Sequence, residues 1–239
     1  MIGDLDRPSP DRHIADTKTQ MSDLLPIFPL PNVVLFPNVF LPLHIFEPRY
    51  REMVADALDS DRMIGMVLLK PGWEHDYEGR PRVYPIGCSG VITHVDRQTD
   101  GRYNIVLRGV ERVRIVEEDH SRPYRRALTE PVVERTLAPE DRVVLRRQRS
   151  KLEALVAPAI ERQLDPSGDA RGAADPMIPS GMADEDLVNA LAQYLDLEPI
   201  EKQALLERHC LRSRAESLVE LLEMKVLVAR SPRGSQMAH

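Results

Sequence analysis

Cysteine is scarce in this sequence of 239 residues, which contains only Cys88 and Cys210. The two lie far apart and neither belongs to a C-x-x-C pair, so the sequence supports neither a structural zinc site nor a disulfide framework. Free thiols suit a reducing compartment, and we therefore expect a cytoplasmic protein.

Long apolar runs are also absent. No segment approaches the roughly 18 apolar residues that a membrane span requires, and the first 20 residues lack the apolar core of a secretory signal. We therefore expect no membrane partner. Residues 1–23 and 230–239 are polar and are predicted to be disordered, and Met21 is an alternative start to Met1.

An excess of positive charge is missing as well. The net charge is −6, with 42% hydrophobic and 29% charged residues, which is typical of an ordinary soluble globular protein. This balance argues against tight nucleic-acid binding through bulk electrostatics. Neither G-x-G-x-x-G nor G-x-x-x-x-G-K-[ST] occurs, so we expect no nucleotide cofactor.

What the sequence does contain is an apolar, proline-rich opening, Leu24–Tyr50, which reads LLPIFPLPNVVLFPNVFLPLHIFEPRY. Each proline within a helix would cost about 3 kcal/mol, so short strands are favoured, with prolines at their ends or on an edge. The predicted strands are Leu24–Phe28, Val33–Phe36 and Val39–Phe46. Pro48 suits the first turn of a helix that continues to Leu58.

Further short strands follow this helix. They are predicted at Met63–Leu69, Val83–Val95, Tyr103–Leu107, Val110–Val116 and Ala127–Val133, with a polar loop at Trp73–Arg82. Gly87 and Gly90 lie in an apolar strand, which indicates a β-bulge or a close backbone approach more than a phosphate-binding loop. Gly109 is predicted to separate two strands. The pattern predicts a small β-barrel within an α+β protein.

The composition changes at Pro139, where apolar residues begin to recur at helical spacing. Pro158 is predicted to kink or split this first helix, and residues 165–184 are predicted to form a flexible linker. Helices are then expected at Asp184–Leu195, Pro199–Arg208 and from Ser213, where Ser213 and Glu216 match a capping box. The predicted domains are a barrel at 24–136 and a helical lobe at 137–229.

Several motifs together resemble a known family. LPIFPLPNVVLFPNVFLPLHIFEPRYREMV, followed by MIGMVLL, VYPIGCSGVI and GRYNIVLRGVERVRI, is similar to the N-terminal substrate-binding domain of Lon proteases, and more narrowly to stand-alone Lon-domain proteins. The resemblance covers roughly Leu24 to Val228 and implies a PUA-like pseudo-barrel followed by a helical bundle. Asn38 stands where a glycine is common, and Ser89 where an alanine is often found.

The resemblance also carries functional expectations. It implies a protein that binds unfolded or extended protein segments, as an adaptor, a holdase or a regulator in protein quality control. The sequence contains no Walker A motif and no region resembling the Ser–Lys peptidase module, so we expect no enzymatic activity. The candidate peptide contacts are apolar or aromatic: Phe28, Phe36, Phe40, Phe46, Trp73 and Tyr77. The four phenylalanines are expected to line a groove between barrel and helices, unless the contact between the two lobes buries them. Trp73 and Tyr77 lie in the polar loop, where they either contact a ligand or attach the loop to the barrel.

Two alternatives remain at this point. RNA binding is suggested by eight arginines between Arg97 and Arg126, but five interleaved acids favour ion pairs over phosphate contacts. A hydrolase is the more distant alternative. Its candidates are Cys88 with His44 or His94, and the loop residues His75, Asp76 and Glu78. We expect Cys88 to be a small buried residue and the loop to be solvated, and we assign no catalytic, cofactor-binding or metal-binding residue.

Overall fold

The computed structural model describes residues 24–163 and 181–230. Within these residues the strands are β1 (Leu25–Leu30), β2 (Phe40–Ile45), β3 (Met63–Leu68), β4 (Ile86–Arg97), β5 (Tyr103–Asp119) and β6 (Arg125–Pro131). The α-helices are α1 (Pro48–Leu58), α2 (Pro139–Gln163), α3 (Asp184–Tyr194), α4 (Pro199–Leu206) and α5 (Leu211–Arg230), and a 3-10 helix spans Trp73–Asp76. This arrangement confirms the predicted α+β class, with a β-barrel ahead of a group of helices.

Five strands close into a ring because both halves of the long strand β5 are paired. β5 pairs with β4, and the ring continues through β3, β1 and β6 back to the second half of β5. The β1–β3 pair is parallel and the other pairs are antiparallel. β2 lies outside the ring and pairs with the first half of β5, so β2 is an edge strand. The ring and α1 share one core, in which Tyr50, Met53 and Val54 of α1 are buried.

Gly109 does not separate two strands, as the sequence had predicted, but lies inside the continuous strand β5. The register between β4 and β5 shifts at this point, because Ser89 pairs with Glu111 and Gly90 pairs with Gly109. A side chain on Gly109 would place its Cβ 2.0 Å from the carbonyl oxygen of Phe36. The glycine therefore permits a close backbone approach, and the predicted bulge lies at Gly90.

The predicted strand Val33–Phe36 is wrong, because residues 31–39 form an irregular turn. The end of this turn is a bulge of the glycine type: Asn38 N–H donates to Gly109 O, and Gly109 N–H donates to Val39 O. Asn38 occupies the left-handed region with φ 62°, which explains why a glycine suits this position in similar sequences. The apolar residues that suggested a strand are buried by helices instead.

Two predictions about the helices are also wrong. The predicted split at Pro158 does not occur, because α2 runs without interruption from Pro139 to Gln163, whereas the kink at Pro158 stays a prediction. Ser213 is not the N-cap of α5, because this helix already starts at Leu211. The Ser213 hydroxyl donates instead to the carbonyl oxygen of Cys210. The capping box of this region belongs to α4, where the N–H of Glu198 donates to the carboxylate of Glu201.

Some predictions lie outside the described residues. They are the disordered lead-in at 1–23, most of the linker at 165–184, and the tail beyond Arg230; of the linker, Asp184 is the first residue of α3. Within the described residues, no helix combines the length and the apolar character needed to cross a membrane.

The helices and the barrel share a second core. Phe36, Val39 and Ile86 from the barrel side pack in one buried cluster with residues of α2, α3, α4 and α5. Three polar groups reinforce this contact: Glu134 accepts from Arg112 of β5 and from Arg214 of α5, at 3.2 and 3.1 Å. Arg214 is fully buried, so the half-buried carboxylate of Glu134 joins barrel and helices through a guanidinium group that solvent does not reach.

Candidate functional site

An exposed apolar row runs along the outer face of the edge strand β2. Its residues are Phe40, Pro42 and His44 together with Phe46 just beyond the strand, and we call this set the β2 face. Phe40 and Phe46 are 50% and 58% exposed, whereas the alternate residue Ile45 is buried in the barrel core. The rings of His44 and Phe46 stack with their centroids 6.0 Å apart. The face follows from the two-residue period of a strand whose other side fills the barrel.

The free edge of β2 offers few backbone hydrogen bonds. Because Gly109 N–H donates to Val39 O, alternation along the strand directs the backbone groups of Phe40, Pro42 and His44 away from β5. Pro42 has no N–H, and the carbonyl oxygen of Phe40 accepts from the Tyr194 hydroxyl at 3.0 Å. A proline and a covered carbonyl limit uncontrolled pairing of an edge strand with other chains.

Helix α3 holds the turn that leads into β2. The N–H of Phe36 donates to Gln193 Oε1 at 3.2 Å, and Asn189 Nδ2 donates to the carbonyl oxygen of Pro37 at 3.2 Å. Asn189 and Gln193 are buried, and they satisfy backbone groups that have no strand partner in this irregular turn. Sequence reasoning missed both residues. The one available signal was the occurrence of two polar residues four apart among the apolar residues that follow the acidic first turn of α3.

Of the six candidate contacts, Phe28 and Phe36 lie in the interior. Phe36 is fully buried in the core shared with the helices, and Phe28 is packed against the ring of Tyr50 with centroids 4.3 Å apart. The space proposed as a groove is thus filled at Phe36, and neither residue presents a surface to a ligand. Phe40 and Phe46 remain candidate contacts for a bound peptide, because they form the exposed ends of the β2 face.

Trp73 and Tyr77, the other two candidates, are half-buried and contact each other edge to face at 5.6 Å. The Tyr77 hydroxyl donates to Glu47 Oε1 at 2.7 Å, and Arg49 donates to the Tyr77 carbonyl oxygen. Burial and the neighbouring carboxylate raise the pKa of Tyr77. These hydrogen bonds attach the loop to Glu47, the residue that follows Phe46, and to Arg49 in the first turn of α1.

The hydrolase candidates are separated in the structure. Cys88 is fully buried, and its thiol donates to the carbonyl oxygen of Ser89. Burial raises the pKa of Cys88 to about 12, so the thiol stays protonated at neutral pH. His44 and His94 are exposed, and His44 Nδ1 lies 2.7 Å from Asn104 Oδ1. The arrangement contains no thiolate–imidazole pair of the kind that nucleophilic catalysis uses.

The loop residues proposed for a hydrolase lie on the surface, and two of the arginines proposed for RNA binding form ion pairs. His75, Asp76 and Glu78 are all exposed, and the described residues contain no cluster of three or more potential metal ligands. Arg125 pairs with Glu118 and Arg126 pairs with Asp119 at 2.7 Å. Arg125 and Arg126, two of the arginines that would contact RNA phosphates, are therefore bound to carboxylates on the same surface.

A family model covers most of the chain. The model described as the ATP-dependent protease La (LON) substrate-binding domain matches residues 24–224. A Lon protease 2 from Myxococcus xanthus is 30% identical over 208 residues, which are 87% of this chain and 24% of that protein. A Lon protease 2 from Syntrophobacter fumaroxidans is 30% identical over 80% of this chain and 23% of its own length. The chain thus spans about a quarter of these relatives.

Solved structures show the same fold. The N-terminal domain of the Mycobacterium avium complex Lon protease superposes with a TM-score of 0.60 at 16% identity, covering 84% of this chain and 98% of that domain. A Lon N-terminal domain protein from Xanthomonas campestris gives a TM-score of 0.51 at 23% identity, covering 87% of this chain and 99% of its own.

Proposed function

This chain belongs to the family of the ATP-dependent protease La (LON) substrate-binding domain, and from that premise we propose that it binds exposed segments of other proteins without cutting or unfolding them. The β2 face is the proposed binding surface. The observation that carries the proposal is the exposure of Phe40 and Phe46 beside an edge strand with free backbone groups.

The proposed mode of binding follows from what β2 offers. An extended apolar segment covers the two phenylalanine rings and the stacked His44, which removes apolar surface from water. Backbone pairing contributes less, because at Phe40 the N–H alone is free and at Pro42 the carbonyl oxygen alone is available. Side-chain burial with few backbone bonds gives weak affinity, since ordering the segment offsets much of the gain.

Weak, reversible binding suits an adaptor or a regulator in protein quality control, which we propose as the cellular role, in the cytoplasm. The relatives that share this region are about four times longer. Their proteolytic activity is not part of the proposal, which concerns recognition alone.

Binding can be measured with an array of ten-residue peptides, followed by fluorescence anisotropy on the strongest hits. We expect apolar peptides to be enriched over polar ones. Replacing both Phe40 and Phe46 by serine should weaken binding at least tenfold, because the two rings supply most of the apolar contact area.

Ile200→Ser is the matched control, because Ile200 is 51% exposed but lies on α4. It should leave peptide binding unchanged. The proposal fails if apolar peptides are not enriched, or if the control variant weakens binding as much as the double variant does.

A further inference from the structure

A cavity of about 170 Å³ lies beside the N-terminal turn of α1, and we call it the α1 cavity. Its walls come from α1, from the loop after the 3-10 helix and from the start of β6. The polar residues of its lining are Arg49, Tyr50, Glu78, Arg80, Tyr124 and Arg125. Tyr77 also lines the cavity, and Tyr77 is bonded to Glu47, the residue that follows Phe46. The cavity therefore begins where the β2 face ends.

The hydroxyl of Tyr50 has no hydrogen-bond partner among the described residues, although Tyr50 as a whole is only 4% exposed. Among the described residues the buried side-chain polar atoms without a hydrogen-bond partner are Gln148 Oε1 and Arg212 Nε. The Tyr50 hydroxyl is not among them and is therefore open to the α1 cavity that it lines and can donate to a molecule that enters it. Burial raises the pKa of Tyr50 well above its usual value, so the hydroxyl remains a donor. The ring is held in place by Phe28 on one side and by the guanidinium of Arg49, 4.6 Å from the ring centroid.

Three arginines line the cavity, and one of them forms no salt bridge with a described carboxylate. Arg49 is paired with Glu47, and Arg125 is paired with Glu118. Arg80 makes one long contact, from Nη1 to the carbonyl oxygen of Asp119 at 3.5 Å, and no described carboxylate lies within salt-bridge distance of it.

The opposing charge in the lining is Glu78, which is exposed to solvent. Its charge is therefore screened more than that of a buried group. The lining thus combines the guanidinium of Arg80, which has no carboxylate partner among the described residues, with the solvent-screened carboxylate of Glu78. This balance of charge favours a singly charged anion over a doubly charged phosphate.

The size of the cavity sets the size of its ligand. A water-sized group needs roughly 10–15 Å³ of such space, so the α1 cavity holds on the order of ten heavy atoms. That corresponds to one amino-acid residue. The guanidinium of Arg49 already lies over the rings of Tyr50 and Tyr77.

We propose that the α1 cavity binds one carboxylate-bearing residue of a bound protein segment, with the Tyr50 hydroxyl and the Arg80 guanidinium as hydrogen-bond donors. This inference rests on the proposed function and adds a specificity to it. The carboxylate belongs either to an acidic side chain or to a C-terminus, which present the same chemistry to the two donors.

The test uses four fluorescein-labelled decapeptides of alternating leucine and serine. One ends in aspartate with a free C-terminus, one in aspartate amide, one in asparagine with a free C-terminus, and one in asparagine amide, which has no carboxylate. We expect at least one carboxylate-bearing peptide to bind about tenfold more tightly than the asparagine amide, as a charge-assisted hydrogen bond predicts. Comparison of the two singly charged peptides identifies the source of the carboxylate.

Variants of the protein then test the two donors. Tyr50→Phe and Arg80→Gln should each reduce the preference for the carboxylate about tenfold and leave binding of the asparagine amide unchanged. Tyr50→Phe removes a hydroxyl without a partner, so the packing of the ring is retained. Glu78→Gln removes the opposing charge and should strengthen carboxylate binding about twofold.

The possible failures are distinct. If all four peptides bind equally, or if both donor variants keep the full preference, the cavity proposal is overturned while the proposed function stands. If Glu78→Gln weakens carboxylate binding, the cavity favours cations and the proposal is also overturned. If none of the four peptides binds, both proposals fall together.

Discussion

Asn38 adopts a left-handed backbone conformation and also forms a side-chain hydrogen bond to helix α3. Its φ of 62° lies in the left-handed region, where a side chain with a Cβ costs about 1–2 kcal/mol and glycine costs far less. Its amide also donates to Asp186 Oδ1 of α3 at 2.9 Å. Asparagine is among the residues that tolerate this conformation best, and here its side chain links the bulge to the helix that covers it.

Substitutions at Asn38 separate these two contributions. Asn38→Ala should lower the free energy of unfolding by about 2 kcal/mol, because alanine tolerates the left-handed region less well than asparagine and also loses the amide bond. Asn38→Gly loses the same bond but relieves the strain, so it should stay within about 0.5 kcal/mol of the original protein. Urea unfolding of the three proteins measures both differences. Equal losses in the two variants would mean that the Asp186 contact, and not the backbone conformation, sets the cost.

Other single residues show why burial was difficult to predict. Phe36 and Phe40 are four residues apart in one apolar segment, yet Phe36 is buried and Phe40 is half-exposed. The difference arises from α3, more than 140 residues later in the chain, which covers Phe36 and leaves the ring of Phe40 open. Local composition contains no signal of such a distant contact.

At the scale of elements, Glu134 connects strand β5 to helix α5. Its carboxylate lies between Arg112 and Arg214, whose side chains are 2% and 0% exposed. Both guanidinium groups also donate to carbonyl oxygens, Arg112 to Leu206 and Arg214 to Leu205. This carboxylate pairs directly with both guanidinium groups, and Glu185 is a second carboxylate near them. Removing the charge of Glu134 leaves the two buried cations close together without their shared ion-pair partner.

Glu134→Gln should therefore destabilise the protein by about 3 kcal/mol, which is typical when one member of a buried ion pair is lost. The control is Glu153→Gln, which removes the carboxylate of an exposed pair with Arg149 within α2. That change should cost less than about 0.5 kcal/mol. Thermal unfolding of the two variants provides the comparison, and a loss at Glu134 as small as at Glu153 would show that the carbonyl oxygens alone satisfy both arginines.

The elements themselves were predictable where their signals are local. Proline disfavours helix interiors and central strands, so the early strands and the start of α1 at Pro48 followed from sequence. Pro158, which lies inside α2, shows the limit of this rule. The strand at Val33–Phe36 was wrong because an apolar run reports burial and not backbone pairing. The capping box at Ser213 was wrong because the preceding turn offers the hydroxyl a closer acceptor, the carbonyl oxygen of Cys210.

For the whole molecule, tyrosine ionisation should limit stability in alkali. The Tyr124 hydroxyl donates to Asp56 Oδ2 at 2.6 Å, and burial together with this carboxylate raises the pKa of Tyr124 to about 12. An unfolded tyrosine has a pKa of about 10. Between these values the unfolded chain loses the proton first, so the free energy of unfolding falls as the pH rises from about 10 to about 12.

Tyr124→Phe tests this dependence. The variant should be less stable by about 1–2 kcal/mol at pH 8, because it lacks the bond to Asp56. The difference from the original protein should narrow above pH 10, by at most about 1.4 kcal/mol per pH unit. Urea unfolding at several pH values between 8 and 11.5 measures it. A difference that stays constant over this range would contradict the assignment.

The candidate site was only partly predictable at this scale. The excess of apolar residues near the N-terminus drew attention to Phe40 and Phe46, since one face of a short strand pair cannot bury so many, and the structure leaves both residues exposed. The α1 cavity had no sequence signal, because Arg80, Tyr50 and Tyr124 come from three separate segments. They meet only when β6 returns to β1 and β5.

The closed ring of strands has a consequence for synthesis on the ribosome. β1 cannot complete its pairing until β6 emerges about 100 residues later, which at ordinary translation rates takes roughly 5–20 s. Throughout that delay the proline-rich opening of the nascent chain is uncovered and able to aggregate. A protein proposed to bind the exposed segments of others thus exposes an apolar segment of its own while it is being synthesised.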